Sequence, residues 1–157
     1  MADYFCTHRT AAAVSRCVDA RNNTASGVLA TSNGTALRLF LYNHPLFSST
    51  EGSDCAITVT LDGATVDETG ASMTRIDATH SNPKAAYLKQ GSPEYPSKAQ
   101  LAELETASEL VWEPLPMLAA GSGGQAGASS FTVTVPANGL AVVDLALPNG
   151  NYSSYTY

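Results

Sequence analysis

Apolar and polar residues alternate along most of this chain, with the period of two that sets successive side chains on opposite faces of a β-strand. Residues 55–61 (CAITVTL) are the clearest case: Ile57, Val59 and Leu61 share one face, Thr58 and Thr60 the other, as in a half-buried strand. In residues 36–43 (ALRLFLYN), Leu37, Leu39, Leu41 and Asn43 oppose Arg38, Phe40 and Tyr42, which predicts a central strand covered on both faces. Residues 27–31 precede it across Ser32-Asn33-Gly34, a hairpin signal, so the two strands are expected to pair antiparallel. Weaker patterns predict strands over 13–20 and 71–77. Residues 131–135 and 140–147, joined by Pro136-Ala137-Asn138-Gly139, read as a last hairpin with Val133, Val135, Val142 and Leu145 in the core. Pro114 and Pro116 cannot donate to a ladder, so any strand within 110–118 belongs at an edge. About eight short strands broken by turns predict a mainly β fold, an antiparallel β-sandwich.

One long stretch breaks this rhythm. Pro83 pushes Asn82 away from the helical region, so the strand before it must end. Residues 83–90 are helix-prone and stop at Gly91, a favoured left-handed cap, with Pro93 two positions on. A second helix over 97–109 starts at Ser97, whose hydroxyl suits an N-cap, with Gln100 at the reciprocal capping-box position. Leu101, Leu104 and Ser108 line one side of it, away from most of Glu103, Glu105 and Glu109. That spacing predicts a helix lying half-buried on the sheet.

With 157 residues, 44% of them hydrophobic, the chain is expected to form one domain over 13–148, followed by a Tyr/Ser-rich tail at 149–157. A (β/α)₈ barrel, at about 250 residues, does not fit. The formal charge is 8 − 14 = −6 with no run of Lys or Arg, which argues against nucleic acid and membrane partners. Only 14% of residues are charged, so solubility leans on Ser, Thr, Asn and Gly, a balance found in secreted carbohydrate-active and adhesive β-proteins. An extracellular or secreted location is therefore expected. Asp3, His8, Arg9 and Arg16 interrupt any signal-peptide core, which would place the signal upstream of this sequence. Asn22, Asn33 and Asn151 each begin an Asn-x-Ser/Thr sequon and are the glycosylation candidates. Of three cysteines at least one stays unpaired; Cys17 and Cys55 can bond if their strands are neighbours, whereas Cys6 with Cys17 needs a turn between them.

Arg75-Ile76-Asp77, His80-Ser81-Asn82, an aromatic helix with Tyr87, Gly91-Ser92-Pro93, and Pro96 before a Gln/Leu/Glu-rich helix follow in that order. This succession resembles the C-terminal β-sandwich module of glycoside hydrolase family 39, the family of the β-xylosidases and α-L-iduronidase. Residues 27–30 (GVLA) and 37–44 (LRLFLYNH) resemble earlier strands of the same module, and the similarity runs over roughly 27–116. It is a resemblance to the accessory module and not to the catalytic barrel. It implies a domain that packs on a barrel, with the helical interruption near that interface. It also implies that a barrel helix leads into the module, so residues 1–12 read as a helical stub or linker.

The search for chemistry is mostly negative. Enzymes of that family are retaining glycosidases with two glutamates held ~5 Å apart, the acid/base normally within Asn-Glu-Pro. The pair here, Trp112-Glu113-Pro114, has Trp where Asn belongs, so no catalytic residue is expected. Asp77, His80 and His44 could be imagined as metal ligands, but a tight zinc site recruits three or four, and His8 is remote in sequence. Asp77 and His80 read better as groups that fix the turn before Pro83 by bonding to backbone. No metal or other cofactor is expected. Tyr42, Phe47, Tyr87, Tyr95 and Trp112 could offer a flat face to sugar, though a sandwich also needs aromatics inside, and Trp112 is expected to pack against the sheet. The carbohydrate or partner contacts chosen are Tyr87, Tyr95, Trp112, His80 and Asn82.

Three functions remain open. The chain can be a non-catalytic accessory β-sandwich serving a glycosidase barrel. It can be a structural subunit of an extracellular, glycosylated assembly or filament, in which the β-prone tail 151–157 (NYSSYTY) joins other copies of itself. It can also be a free carbohydrate-binding module, with glycans as its partners.

Overall fold

The computed structural model of the chain describes residues 3–7, 10–14, 26–33, 35–44, 54–62, 70–115 and 129–147. Strands β1 (Asp3–Thr7), β2 (Thr10–Val14), β5 (Cys55–Asp62) and β8 (Ser129–Val135) form a four-stranded sheet in the order β1-β2-β5-β8. Strands β3 (Ser26–Ser32), β4 (Ala36–Asn43), β6 (Ser72–Ile76), β7 (Glu113–Pro114) and β9 (Gly139–Ala146) form a five-stranded sheet in the order β3-β4-β9-β6-β7. All neighbouring strands run antiparallel. Helices α1 (Lys84–Lys89) and α2 (Lys98–Ser108) stand between β6 and β7.

The alternation read from the sequence builds the core. Leu37, Leu39 and Leu41 of β4 and Ala141, Val143 and Leu145 of β9 are buried together with Ile57, Val59 and Leu61 of β5 and Phe131, Val133 and Val135 of β8. Each large apolar side chain taken from water contributes about 1.5–3 kcal/mol. Asn43, at the end of the inward row of β4, is also buried, and its Nδ2 donates to the Val135 carbonyl at 3.0 Å, tying one sheet to the other. On the opposite side of the four-stranded sheet, Thr58 and Thr132 stand opposite each other and share a hydroxyl hydrogen bond of 2.9 Å.

Several expectations are met. The 27–31 and 36–43 segments pair as antiparallel strands, β4 lies between β3 and β9, and the Pro114 strand is an edge. Others are corrected. Instead of a helical stub or linker at 1–12, Asp3–Thr7 and Thr10–Val14 pair with Thr7 opposite Thr10, and β2 extends the sheet from β5. Of the strand expected over 13–20, residues 13 and 14 lie in β2, and 15–20 lie outside the described residues.

The last two strands are not a hairpin, because β8 pairs with β5 while β9 sits between β4 and β6 in the other sheet. Asn138 at φ 60° and the Gly139 N–H to Pro136 carbonyl bond of 2.9 Å do reverse the chain. Turn residues fix a reversal and not the sheet that receives it. Within β9 the buried row is Gly139, Ala141, Val143 and Leu145, so Val142 faces outward and Val143 takes the core place assigned to it. Nor is β4 covered on both faces: Arg38 is exposed, Phe40 half-buried and Tyr42 45% exposed.

Candidate interaction surface

The segment between β6 and β7 is shaped by local hydrogen bonds. Asp77, buried at the end of β6, accepts from the backbone N–H of Thr79 (2.7 Å) and of His80 (2.9 Å), from the Thr79 hydroxyl (2.9 Å), and from His80 Nδ1 (2.9 Å). Burial alone would raise the Asp77 carboxyl, but these four donors outweigh it and hold its pKa down at about 2. Asn82 Nδ2 donates to the Asp77 carbonyl (3.0 Å), and Asn82 Oδ1 accepts from the Lys84 N–H (3.0 Å), which launches α1.

Helix α1 ends as its sequence indicates. Gly91, at φ 81°, donates to the Leu88 carbonyl and Ser92 donates to the Tyr87 carbonyl, the paired bonds of a left-handed glycine stop. Tyr87 Oη then donates to the Pro93 carbonyl at 3.2 Å. Helix α2 opens with a complete capping box: the Gln100 N–H donates to Ser97 Oγ (3.3 Å) and the Ser97 N–H to Gln100 Oε1 (2.9 Å). Gln90 Nε2 clamps the helices together through the Gln100 carbonyl (3.2 Å) and Glu103 Oε2 (2.9 Å).

This insertion has no core of its own. Neither helix contains a buried residue, and α2 packs on α1, not on the sheet as expected. Its less exposed row is Gln100, Leu104 and Ala107, while Leu101 and Ser108, expected on the covered side, are exposed. Apolar side chains face outward instead. Tyr95 is 85% exposed, Val111 72% and Leu88 59%, and Trp112, expected against the sheet, keeps 43% of its surface in solvent. Tyr87, His80 and Asn82 are half-buried and engaged in the bonds above. The chosen contact residues therefore lie on one insertion, but Tyr95 and Trp112 offer surface while Tyr87 and Asn82 hold its shape.

Sequence reasoning missed Leu88, Leu110 and Val111, all exposed. Leu110-Val111-Trp112 was legible as an apolar run beside Pro114, in a place where only a two-residue edge strand forms. Glu113 of Trp112-Glu113-Pro114 pairs with Arg75 (Nη2 to Oε1, 2.7 Å) across that edge. His44 Nδ1 meets Asn138 Oδ1 at 3.1 Å, and among the described residues no three His, Cys, Asp or Glu converge as a metal site. Asn33 is exposed, with its Oδ1 accepting from the Thr35 and Ala36 N–H groups; Asn22 and Asn151 lie outside the described residues. Cys55 is in a disulfide, and its candidate partner Cys17 also lies outside them. Among the described residues no helix is long and apolar enough to cross a membrane.

The sequence profile of the Glycosyl hydrolases family 39 matches residues 9–123. Against curated protein sequences the chain has no match. Among solved structures it is similar in fold to the GH39 enzyme from Xanthomonas axonopodis pv. citri, at 14% identity and a TM-score of 0.53, over 76% of this chain and 26% of that one. A monomeric β-xylosidase from Caulobacter crescentus CB15 is similar at 16% identity and a TM-score of 0.50, over 78% of this chain and 26% of that one. A bacterial orthologue of human α-L-iduronidase is similar at 21% identity and a TM-score of 0.54, over 80% and 22%. The chain thus spans about a quarter of the length of these structures.

Proposed function

The chain belongs to family 39 of the glycosyl hydrolases, and from that premise we propose that it is a non-catalytic accessory β-sandwich whose helical insertion docks on a catalytic barrel. The observation that carries this reading is the unburied insertion: Leu88, Tyr95, Leu101, Val111 and Trp112 expose apolar surface on a segment whose polar groups bond inward. Surface of this kind is stabilised by a partner, at about 25 cal/mol for each Å² covered. The overlap with about a quarter of each solved relative leaves a much larger part of those enzymes available as that partner. Glu113 is engaged by Arg75, which suits a structural role better than proton transfer to a substrate. Secretion accords with the exposed Asn33 sequon, which would carry a glycan in a host that glycosylates.

The test is to express this chain together with the family 39 barrel encoded in or beside its own gene, as separate polypeptides. Co-elution that is lost on Val111→Asp with Leu88→Asp supports the proposal. A chain that stays monomeric beside that barrel contradicts it, and one that self-associates through the same face assigns the surface to a second copy, the structural-subunit reading. Glycoside turnover by the isolated chain that disappears in Glu113→Gln would overturn the non-catalytic assignment.

A further inference from the structure

The outward face of the five-stranded sheet is built in rows, and two of them differ in kind from an ordinary solvated surface. Gly27 of β3 stands opposite Tyr42 of β4. A Cβ added at Gly27 would collide with Oη, Cζ and Cε1 of Tyr42, so the phenol ring crosses from its own strand and lies over the glycine. The ring thus rests along the sheet with 45% of the residue exposed, which presents an aromatic surface to solvent. Phe40, two residues back on the same face, continues the apolar row half-buried.

The next row along β4 is polar. Arg38 and Asp144 are register partners, and Nε and Nη2 of the arginine each donate to one carboxylate oxygen at 2.5 Å. Asp144 also faces Ser72 of β6. These three residues line a groove of about 610 Å³ that runs from this row toward Thr31, Asn33 and Ala36, at the end of β4 away from Tyr42. The paired charges cancel, yet the remaining guanidinium N–H groups, the outer lone pairs of the carboxylate and the serine hydroxyl still offer donors and acceptors.

We propose that this face binds a neutral oligosaccharide, stacked on Tyr42 and hydrogen-bonded at its other end by Arg38, Asp144 and Ser72. A pyranose has an apolar C–H face that suits a flat aromatic ring and a rim of hydroxyls that both donate and accept. Tyr42 and Arg38 are four residues apart on one strand, about 14 Å, which spans more than a single sugar ring. Because Asp144 neutralises Arg38, the row has no net attraction for a uronate or sulfate. That selects hydroxyls over acidic groups. None of Tyr42, Arg38, Asp144 and Ser72 belongs to the helical insertion.

The probes are xylohexaose, cellohexaose and mannohexaose, with a heparin hexasaccharide as the acidic comparison, titrated into the intact chain by calorimetry and followed by amide chemical shifts. At least one neutral hexasaccharide is expected to bind, with shifts on β3, β4 and β9. Tyr42→Ala should weaken it tenfold or more, Tyr42→Phe less than threefold, and Arg38→Met with Asp144→Leu about tenfold. Gly27→Val should weaken binding by lifting the ring, and retained dispersion of the core signals of β5 and β8 shows that each variant is folded. Val111→Asp should leave the affinity unchanged. Absence of binding by all three neutral probes at millimolar concentration, tighter and salt-sensitive binding of the heparin fragment, or loss with Val111→Asp but not Tyr42→Ala would each overturn the proposal.

Discussion

The sandwich and the insertion of this chain are held by different physics. In the sandwich, Leu41, Ile57, Val59, Phe131 and Val143 lose all contact with water, and the strand pattern alone says which face each residue takes. In the insertion neither helix buries a residue, and the shape comes from the Asp77 turn, the Gly91 stop, the Ser97 capping box and the Gln90 clamp. Burial holds the first region together. Hydrogen bonds define the second without covering its apolar side chains, which stay exposed.

The largest expected contrast is between core and insertion truncations. Phe131→Ala should cost about 3–5 kcal/mol by urea unfolding, because it empties a fully buried ring site. Leu101→Ala, on exposed surface, should change stability by less than about 0.5 kcal/mol. A loss of several kcal/mol from Leu101→Ala would erase the distinction between the regions.

Asp77 sits at their junction and should come next. Asp77→Ala strands the Thr79 and His80 N–H groups, at about 2–3 kcal/mol. Its carboxyl is lowered to about 2, from an ordinary aspartate value of about 3.9. A group with a lowered folded-state pKa stabilises fully above its unfolded value and loses that contribution as pH falls through the folded one. Asp77 should therefore contribute about 2 kcal/mol at pH 6, fading between about pH 4 and pH 2. Urea midpoints of wild type and Asp77→Asn should converge over that interval, and a constant difference would assign the acid sensitivity elsewhere.

Two smaller effects sharpen the comparison. Ser97→Ala should cost about 1 kcal/mol through the lost cap. Thr74, on the outward row with Val142, is buried and its hydroxyl has no partner among the described residues. Thr74→Val should thus be neutral or stabilising by up to about 1 kcal/mol in the thermal midpoint.

What could be read in advance follows the same division. Side-chain parity revealed β3, β4 and β5, and named residues revealed both helix boundaries, since Gly91 and Ser97 carry their chemistry locally. The destination of the 136–139 turn was not legible, because Pro136, Asn138 and Gly139 specify a reversal while the choice between sheets depends on which edges β5, β4 and β6 present. The position of α2 was misjudged for a related reason. Leu101 and Leu104 look like a covered stripe, but a helix rests on a sheet only if the connections place it there, and the Gln90 clamp ties α2 to α1 instead. Tyr42 was legible as an aromatic and not as a ring lying over Gly27, since that contact joins residues paired only by strand register.

The division of labour between the two regions is tested most directly by amide hydrogen exchange, on the chain alone and with a family 39 catalytic barrel added. In the isolated chain, β4, β5 and β9 should exchange slowest and α1 with α2 much faster. With the barrel, α1, α2 and residues 110–112 should slow by tenfold or more while the sandwich strands stay as they were. Helices as protected as the core in the isolated chain, or unchanged by the barrel, would contradict the account.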